Sequence, residues 1–155
     1  SAAPVHYVGA RVVFADIDQD TWCLSPTSFE DSISSKTKAV VAVGLAGNLP
    51  DMDEIRRIAD HHGVAIVEDA AESLGAEYKG HKAGTLGDIG VFSFNATKIM
   101  VAGQGGMIVT RDPHLQQRFK VAKSQKILSL QIKGTKVYIS DSLMITSCLL
   151  RMYMV

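Results

Sequence analysis

At 155 residues the chain has the length of one ordinary domain and can bury a true core. Apolar residues make up 46% and charged residues 21%, which excludes an intrinsically disordered chain. The 16 Lys/Arg cancel the 16 Asp/Glu, so no net field draws in nucleic acid or an anionic membrane. No apolar run reaches the ~18–20 residues of a membrane helix.

In chain order, Val12-Val-Phe-Ala-Asp-Ile-Asp18 is an apolar run closed by acidic residues and predicts a buried strand. Ser25-Pro26-Thr27 predicts a helix start, with Phe29 and Ile33 on one face. Lys38 to Val43 reads as a second strand ending at Gly44. Asp51 to Gly63 is the clearest helix: an acidic first turn, an apolar stripe of Met52, Ile55, Ile58 and Ala59, and a glycine stop. Val64 to Val67 is a third strand, running into Glu68-Asp69. Val91–Phe94 and Met107–Val109 are further strands, joined across a Gly-rich bend at Gly103–Gly106. Alternating strands and helices predict an α/β fold with parallel pairs, in which ligands gather beyond the carboxyl ends of the strands.

The zero net charge hides a division. Residues 1–110 carry 8 Lys/Arg and 14 Asp/Glu, 8 − 14 = −6; residues 111–155 carry 8 and 2, 8 − 2 = +6. The strand–helix rhythm ends near Ser124, which divides the chain into a domain over 1–124 and a divergent tail over 125–155. Cys23 and Cys148 have no CxxC partner, which argues against a zinc site or a disulfide framework and fits a reducing cytoplasm. The opening Ser1-Ala-Ala-Pro lacks the basic-then-apolar order of a signal peptide.

Three side chains can carry chemistry. Asp69 closes an apolar strand, and a carboxylate there needs a cation or hydrogen-bond donors. Lys98 has Phe92, Phe94, Ile99 and Met100 about it and no acid in its own stretch, a setting that suits an amine nucleophile. Ser93 lies five residues earlier. Each has an ordinary reading as well: a capping or salt-bridge aspartate, a solvated lysine, a loop hydroxyl. The Gly103-Gln-Gly-Gly106 bend can cradle an anion through backbone N–H groups, yet it matches neither the P-loop nor GxGxxG. A carboxylate, a hydroxyl and a lysine meet the needs of pyridoxal phosphate: an acid for the ring nitrogen, donors for the phosphate, an amine for the aldehyde.

The blocks Val67-Glu-Asp-Ala-Ala-Glu-Ser-Leu-Gly-Ala76, Lys79-Gly-His-Lys-Ala-Gly-Thr-Leu-Gly-Asp-Ile-Gly90, Phe92-Ser-Phe-Asn-Ala-Thr-Lys98 and Gly103-Gln-Gly-Gly-Met107 are specific in content and order. Together with Gly9–Asp18 and Leu49–Ile55 upstream, they resemble the DegT/DnrJ/EryC1/StrS sugar aminotransferases over roughly Val5 to Lys123. The resemblance implies the middle of a type I pyridoxal-phosphate transferase large domain, aspartate-aminotransferase-like, three-layered, with a mixed and mostly parallel sheet. It implies Lys98 at the Schiff-base position, Asp69 facing the pyridine nitrogen, Ser93 on the phosphate and Glu72 near the ring hydroxyl. Lysine rather than histidine at 98 implies transamination rather than dehydration. The substrates implied are a nucleotide-linked keto-sugar and glutamate. The expected setting is a cytoplasmic homo-oligomer with no metal, nucleic acid or membrane partner.

The departures are part of the same expectation. Family members are considerably longer, and the phosphate-holding turn upstream and the small-domain motifs downstream have no counterpart here. The alternative reading is therefore a truncated, catalytically incompetent remnant that folds and oligomerises, or a weak binder of cofactor or nucleotide sugar.

Overall fold

In the computed structural model, which describes residues 1–121, 127–132 and 135–140, the chain opens on helix α1 (Ala2–Tyr7). It then runs without regular structure to an isolated bridge between Ile17 and Leu24. The strand expected over 12–18 does not form. Val13 and Phe14 are 56% and 81% exposed, and an apolar run becomes a strand only where a sheet edge and a covered face receive it. Helix α2 (Pro26–Asp31) begins where expected: Ser25 Oγ accepts from the Ser28 N–H at 3.4 Å, and Pro26 fills a first turn whose N–H would lack a partner.

Strand β1 (Ala39–Val43) leads to helix α3 (Met52–His62). Asp51 caps α3 by accepting from the Glu54 N–H at 3.2 Å, and Gly63 ends it in the left-handed region at φ 64°. Tyr78 Oη donates to the same carboxylate at 2.7 Å, which holds Asp51 below the ordinary carboxylate range. Strand β2 (Ala65–Asp69) follows, then a small antiparallel pair, β3 (Glu77–Tyr78) with β4 (His81–Lys82). Next come β5 (Ile89–Ser93), β6 (Gly106–Thr110), helix α4 (Pro113–Val121), β7 (Ile127–Ile132) and β8 (Thr135–Ser140).

The main sheet has the order β1-β2-β5-β6-β8-β7. β1, β2 and β5 run parallel; β6 reverses against β5, β8 against β6 and β7 against β8. β1, β2, β5 and β8 thus point one way in a mixed sheet. The hairpin of β7 and β8 comes from the stretch set apart as the tail; residues 141–155 lie outside the described residues.

Register decides which side chains share a face. Val40, Ala42, Ile66, Glu68, Gly90, Phe92 and Val109 stand on one, because Ala42 pairs with Glu68, Glu68 with Gly90 and Gly90 with Val109. There α2 and α3 bury Phe29, Ile55, Ile58 and Ala59 against Ala42 and Ile66. Ala70, Ala83, Phe92, Phe94 and Val109 extend the same covered face. On the opposite face lie Val41, Val43, Val67, Asp69, Val91 and Ser93. Helix α1 faces the β1 end of that surface across a cleft of about 880 Å3, bordered by Val5, Phe14, Trp22, Val41 and Val43. Helices on both sides of the sheet make the three layers.

Two polar side chains tie the covered face together. Glu68, 1% exposed, accepts the N–H groups of Gly84 (2.5 Å), Leu86 (2.9 Å) and Gly87 (3.3 Å). Burial pushes its carboxyl above the ordinary range, against the pull of those three donors. Asp88 accepts from the Ile66 N–H at 2.7 Å and from Arg56 Nη1 at 3.0 Å, closing the start of β5 onto β2 and α3. Gly84 crosses so near the sheet that a Cβ on Gly90 would fall on its backbone atoms.

Candidate active site

The parallel strands β2 and β5 end side by side, and each carries a polar side chain to its carboxyl end: Asp69 on β2 and Ser93 on β5. Asp69 pairs with Val91, two residues before Ser93, so both side chains stand on the open face. This is the edge at which ligands of parallel α/β sheets collect.

The turn after β2 is held by the loop after β1. The Gly44 N–H donates to the Asp69 carbonyl and the Gly47 N–H to the Glu72 carbonyl, both at 3.0 Å. Within the turn, the Ala71 N–H donates to Asp69 Oδ1 at 3.2 Å. Close packing requires the glycine at 44: a Cβ there would stand 2.5 Å from Ser73 Oγ and 2.9 Å from Ser73 Cβ. The Ser73 hydroxyl is buried and has no hydrogen-bond partner among the described residues.

After β5 the chain folds back on itself. The Phe94 N–H donates to the Gly105 carbonyl at 2.9 Å, and the Ala102 N–H to the Phe94 carbonyl at 3.0 Å. The turn that begins at Asn95 sets Lys98, whose own N–H donates to the Asn95 carbonyl at 2.9 Å. Its Nζ lies 3.3 Å from Oε1 of Glu72, and the lysine side chain is only 22% exposed. The apolar neighbours in sequence do not enclose the amine: Ile99 and Met100 are 74% and 50% exposed. The partner is an acid 26 residues earlier, delivered by the turn after β2.

Of the four residues singled out in the sequence, the fold brings Lys98 and Glu72 into direct contact. Asp69 stands three residues from Glu72 on the same turn. Ser93 shares the open face, where its hydroxyl accepts the Asn95 N–H at 3.5 Å. Sequence reasoning misses Ser1, whose Oγ donates to Oδ2 of Asp69 at 2.5 Å. It also misses Glu68 as the buttress directly behind Asp69. Neither leaves a local signal, since Ser1 is 68 residues from its partner and the partners of Glu68 are backbone groups. Among the described residues no three His, Cys, Asp or Glu side chains gather as they would around a metal ion.

A mixed α/β sheet with a lysine and two carboxylates at the carboxyl ends of its parallel strands is the architecture of aminotransferase domains, and its solved neighbours include several. The chain belongs to the DegT/DnrJ/EryC1/StrS aminotransferase family, whose model matches residues 1–143. It is 44% identical over 120 residues to an L-glutamine:2-deoxy-scyllo-inosose aminotransferase of Streptomyces kanamyceticus, covering 77% of this chain and 28% of that one. Among solved structures it resembles DesI in the presence of its TDP-sugar product, with TM-score 0.76, 34% identity and 99% and 39% of the two chains covered. It also resembles a GDP-4-keto-6-deoxymannose-3-dehydratase with a trapped PLP-glutamate geminal diamine, with TM-score 0.67, 37% identity and 71% and 28% covered. The chain spans about 28–39% of the length of these proteins. No helix among the described residues is long and apolar enough to cross a membrane.

Proposed function

We propose that this chain is the cofactor-holding part of a pyridoxal-phosphate-dependent aminotransferase acting on a nucleotide-linked keto-sugar, with glutamate as amino donor. The donor set fits the cofactor: a largely shielded amine, a carboxylate at a strand end, a hydroxyl on the next strand and a second carboxylate on the amine. Lys98 would hold the aldehyde, Asp69 the ring nitrogen, Glu72 the ring hydroxyl and Ser93 the phosphate. When bound, the cofactor supplies an electron sink for the carbon that loses its proton. Lys98 Nζ would be the group positioned to take that proton and return it to the neighbouring carbon. Asp69, held by hydrogen bonds to both of its oxygens, would keep a proton on the ring nitrogen, and Glu72 holds the Lys98 amine at 3.3 Å. The reading includes a cytoplasmic homo-oligomer, in which the exposed Tyr7, Phe14 and Trp22 gain partners.

The observation that carries this reading is the 3.3 Å contact between Lys98 and Glu72 beside Asp69. Its test adds pyridoxal phosphate to the chain and follows visible absorbance, then reduces with borohydride and maps the modified peptide. A label on Lys98, lost in Lys98→Ala, is the expected result; a label elsewhere, or none, refutes it. Multiple turnover with glutamate and 4-keto nucleotide sugars distinguishes an enzyme from a folded remnant that only binds.

A second acceptor class has one specific support. The Streptomyces relative is named for L-glutamine and 2-deoxy-scyllo-inosose, a ketone on a carbocycle that carries no nucleotide. The same turnover assay, run with glutamine and a keto-cyclitol, tests it.

A further inference from the structure

Ser1 occupies the N-cap of α1, where a serine hydroxyl ordinarily accepts a bond from an N–H of its own first turn. Here it makes no such bond. Helix α1 buries no residue fully; Ala2, Pro4 and Val5 are half-buried, and Ala2 and Val5 line the cleft. The Ser1 hydroxyl instead reaches across the cleft and donates to Oδ2 of Asp69 at 2.5 Å, a short, charge-assisted contact. The other oxygen, Oδ1, accepts from the Ala71 N–H at 3.2 Å.

An aspartate carboxylate rotates almost freely about its last bond, because that torsion has only a broad two-fold preference. One donor leaves the plane free to swing; two donors on different oxygens fix it. The Asp69 backbone is already tied by the Gly44 N–H, so the carboxylate plane is the remaining freedom at this position. Ser1 removes it.

We infer that Ser1 is a positioning residue: it fixes the plane of the Asp69 carboxylate so that its remaining lone pairs point along one direction on the open face. Resting on the cofactor reading above, that direction is the one toward the pyridine nitrogen. Ser1 therefore governs how well the ring is held without touching it.

The test compares the full chain with Ser1→Ala and Ser1→Thr, the second of which keeps the hydroxyl. Without cofactor, the 13C carboxyl resonance of Asp69 moves in Ser1→Ala and stays in Ser1→Thr. On titration with pyridoxal phosphate, Ser1→Ala binds about tenfold more weakly, and Ser1→Thr stays within about twofold of the unsubstituted chain. The pH midpoint of the visible band shifts in Ser1→Ala alone. Thermal midpoints agree within about 2 °C, which separates positioning from folding. Binding by Ser1→Ala equal to that of the unsubstituted chain overturns the inference, as does Ser1→Thr failing alongside it. A Lys98-dependent band with Ser1→Ala unchanged sinks this inference alone. An unsubstituted chain without such a band sinks the cofactor reading and this inference together.

Discussion

The two faces of the central sheet use similar strand residues and differ in what lies over them. On one face Ile55, Ile58 and Ala59 of α3 meet Ala42 and Ile66, and every one of these side chains is buried. On the other, Val67 and Val91 are buried, but Val41 and Val43 toward the sheet's edge are only half-buried and look across the cleft toward α1, while Asp69 and Ser93 stand at the strand ends. Burial on the first face leaves no room for an unpaired charge: its buried acid, Glu68, is surrounded by N–H donors. The second face keeps a lysine and two carboxylates partly in water, where they remain available to a ligand.

Four substitutions sharpen that contrast. Gly90→Ala, on the covered face, puts a methyl group onto the Gly84 backbone, which cannot step aside without moving the Glu68 cradle. The expected loss exceeds about 4 kcal/mol and reads as an unfolded or aggregated chain in circular dichroism. A native-like spectrum and melt would show that the two glycines are not packed as described.

Ile58→Ala, also on the covered face, should cost about 2–5 kcal/mol in urea denaturation. Val41→Ala on the open face should cost only about 1 kcal/mol, since the side chain is already half in water. Equal losses would erase the distinction between the faces.

Glu68→Gln tests the cradle with a smaller change. An amide offers one accepting oxygen where three N–H groups need two, so a loss of about 1–3 kcal/mol is expected. The pH dependence follows from the raised carboxyl. A group whose folded value lies above its unfolded one contributes fully below the unfolded value, about 4.3 for glutamate. That contribution is lost as pH rises through the folded value. Denaturation midpoints of the unsubstituted chain therefore carry a decline above about pH 4.3 that Glu68→Gln lacks. Parallel pH profiles for the two proteins would contradict this.

What could be read in advance divides along the same line. Helix α3 was legible because everything that makes it is local: the Asp51 cap, the apolar stripe and the Gly63 stop. Strands β1, β2, β5 and β6 were legible as apolar runs ended by turn residues. The run over 12–18 has the same composition and forms no strand, because composition does not say whether a sheet edge is waiting for it. In the candidate site, Asp69, Lys98 and Ser93 were legible from the residues themselves, and the resemblance of motifs added Glu72. The contact between Lys98 and Glu72 was not legible, since a turn of the backbone brings them together. Nor was the bond from Ser1 to Asp69, which depends on where α1 lies over the sheet.

Glu68 and Asp69 are neighbours on β2 and point to opposite faces, so one carboxylate is gripped from behind while the other is presented in front. The amides of Gly84, Leu86 and Gly87 all hang on that single rear carboxylate. They form one unit for hydrogen exchange: a fluctuation that withdraws Glu68 exposes all three to solvent at once, and none has an independent route to protection. Their common exchange rate thus becomes a gauge, read from the buried side of the strand, of how often the strand end bearing Asp69 comes loose.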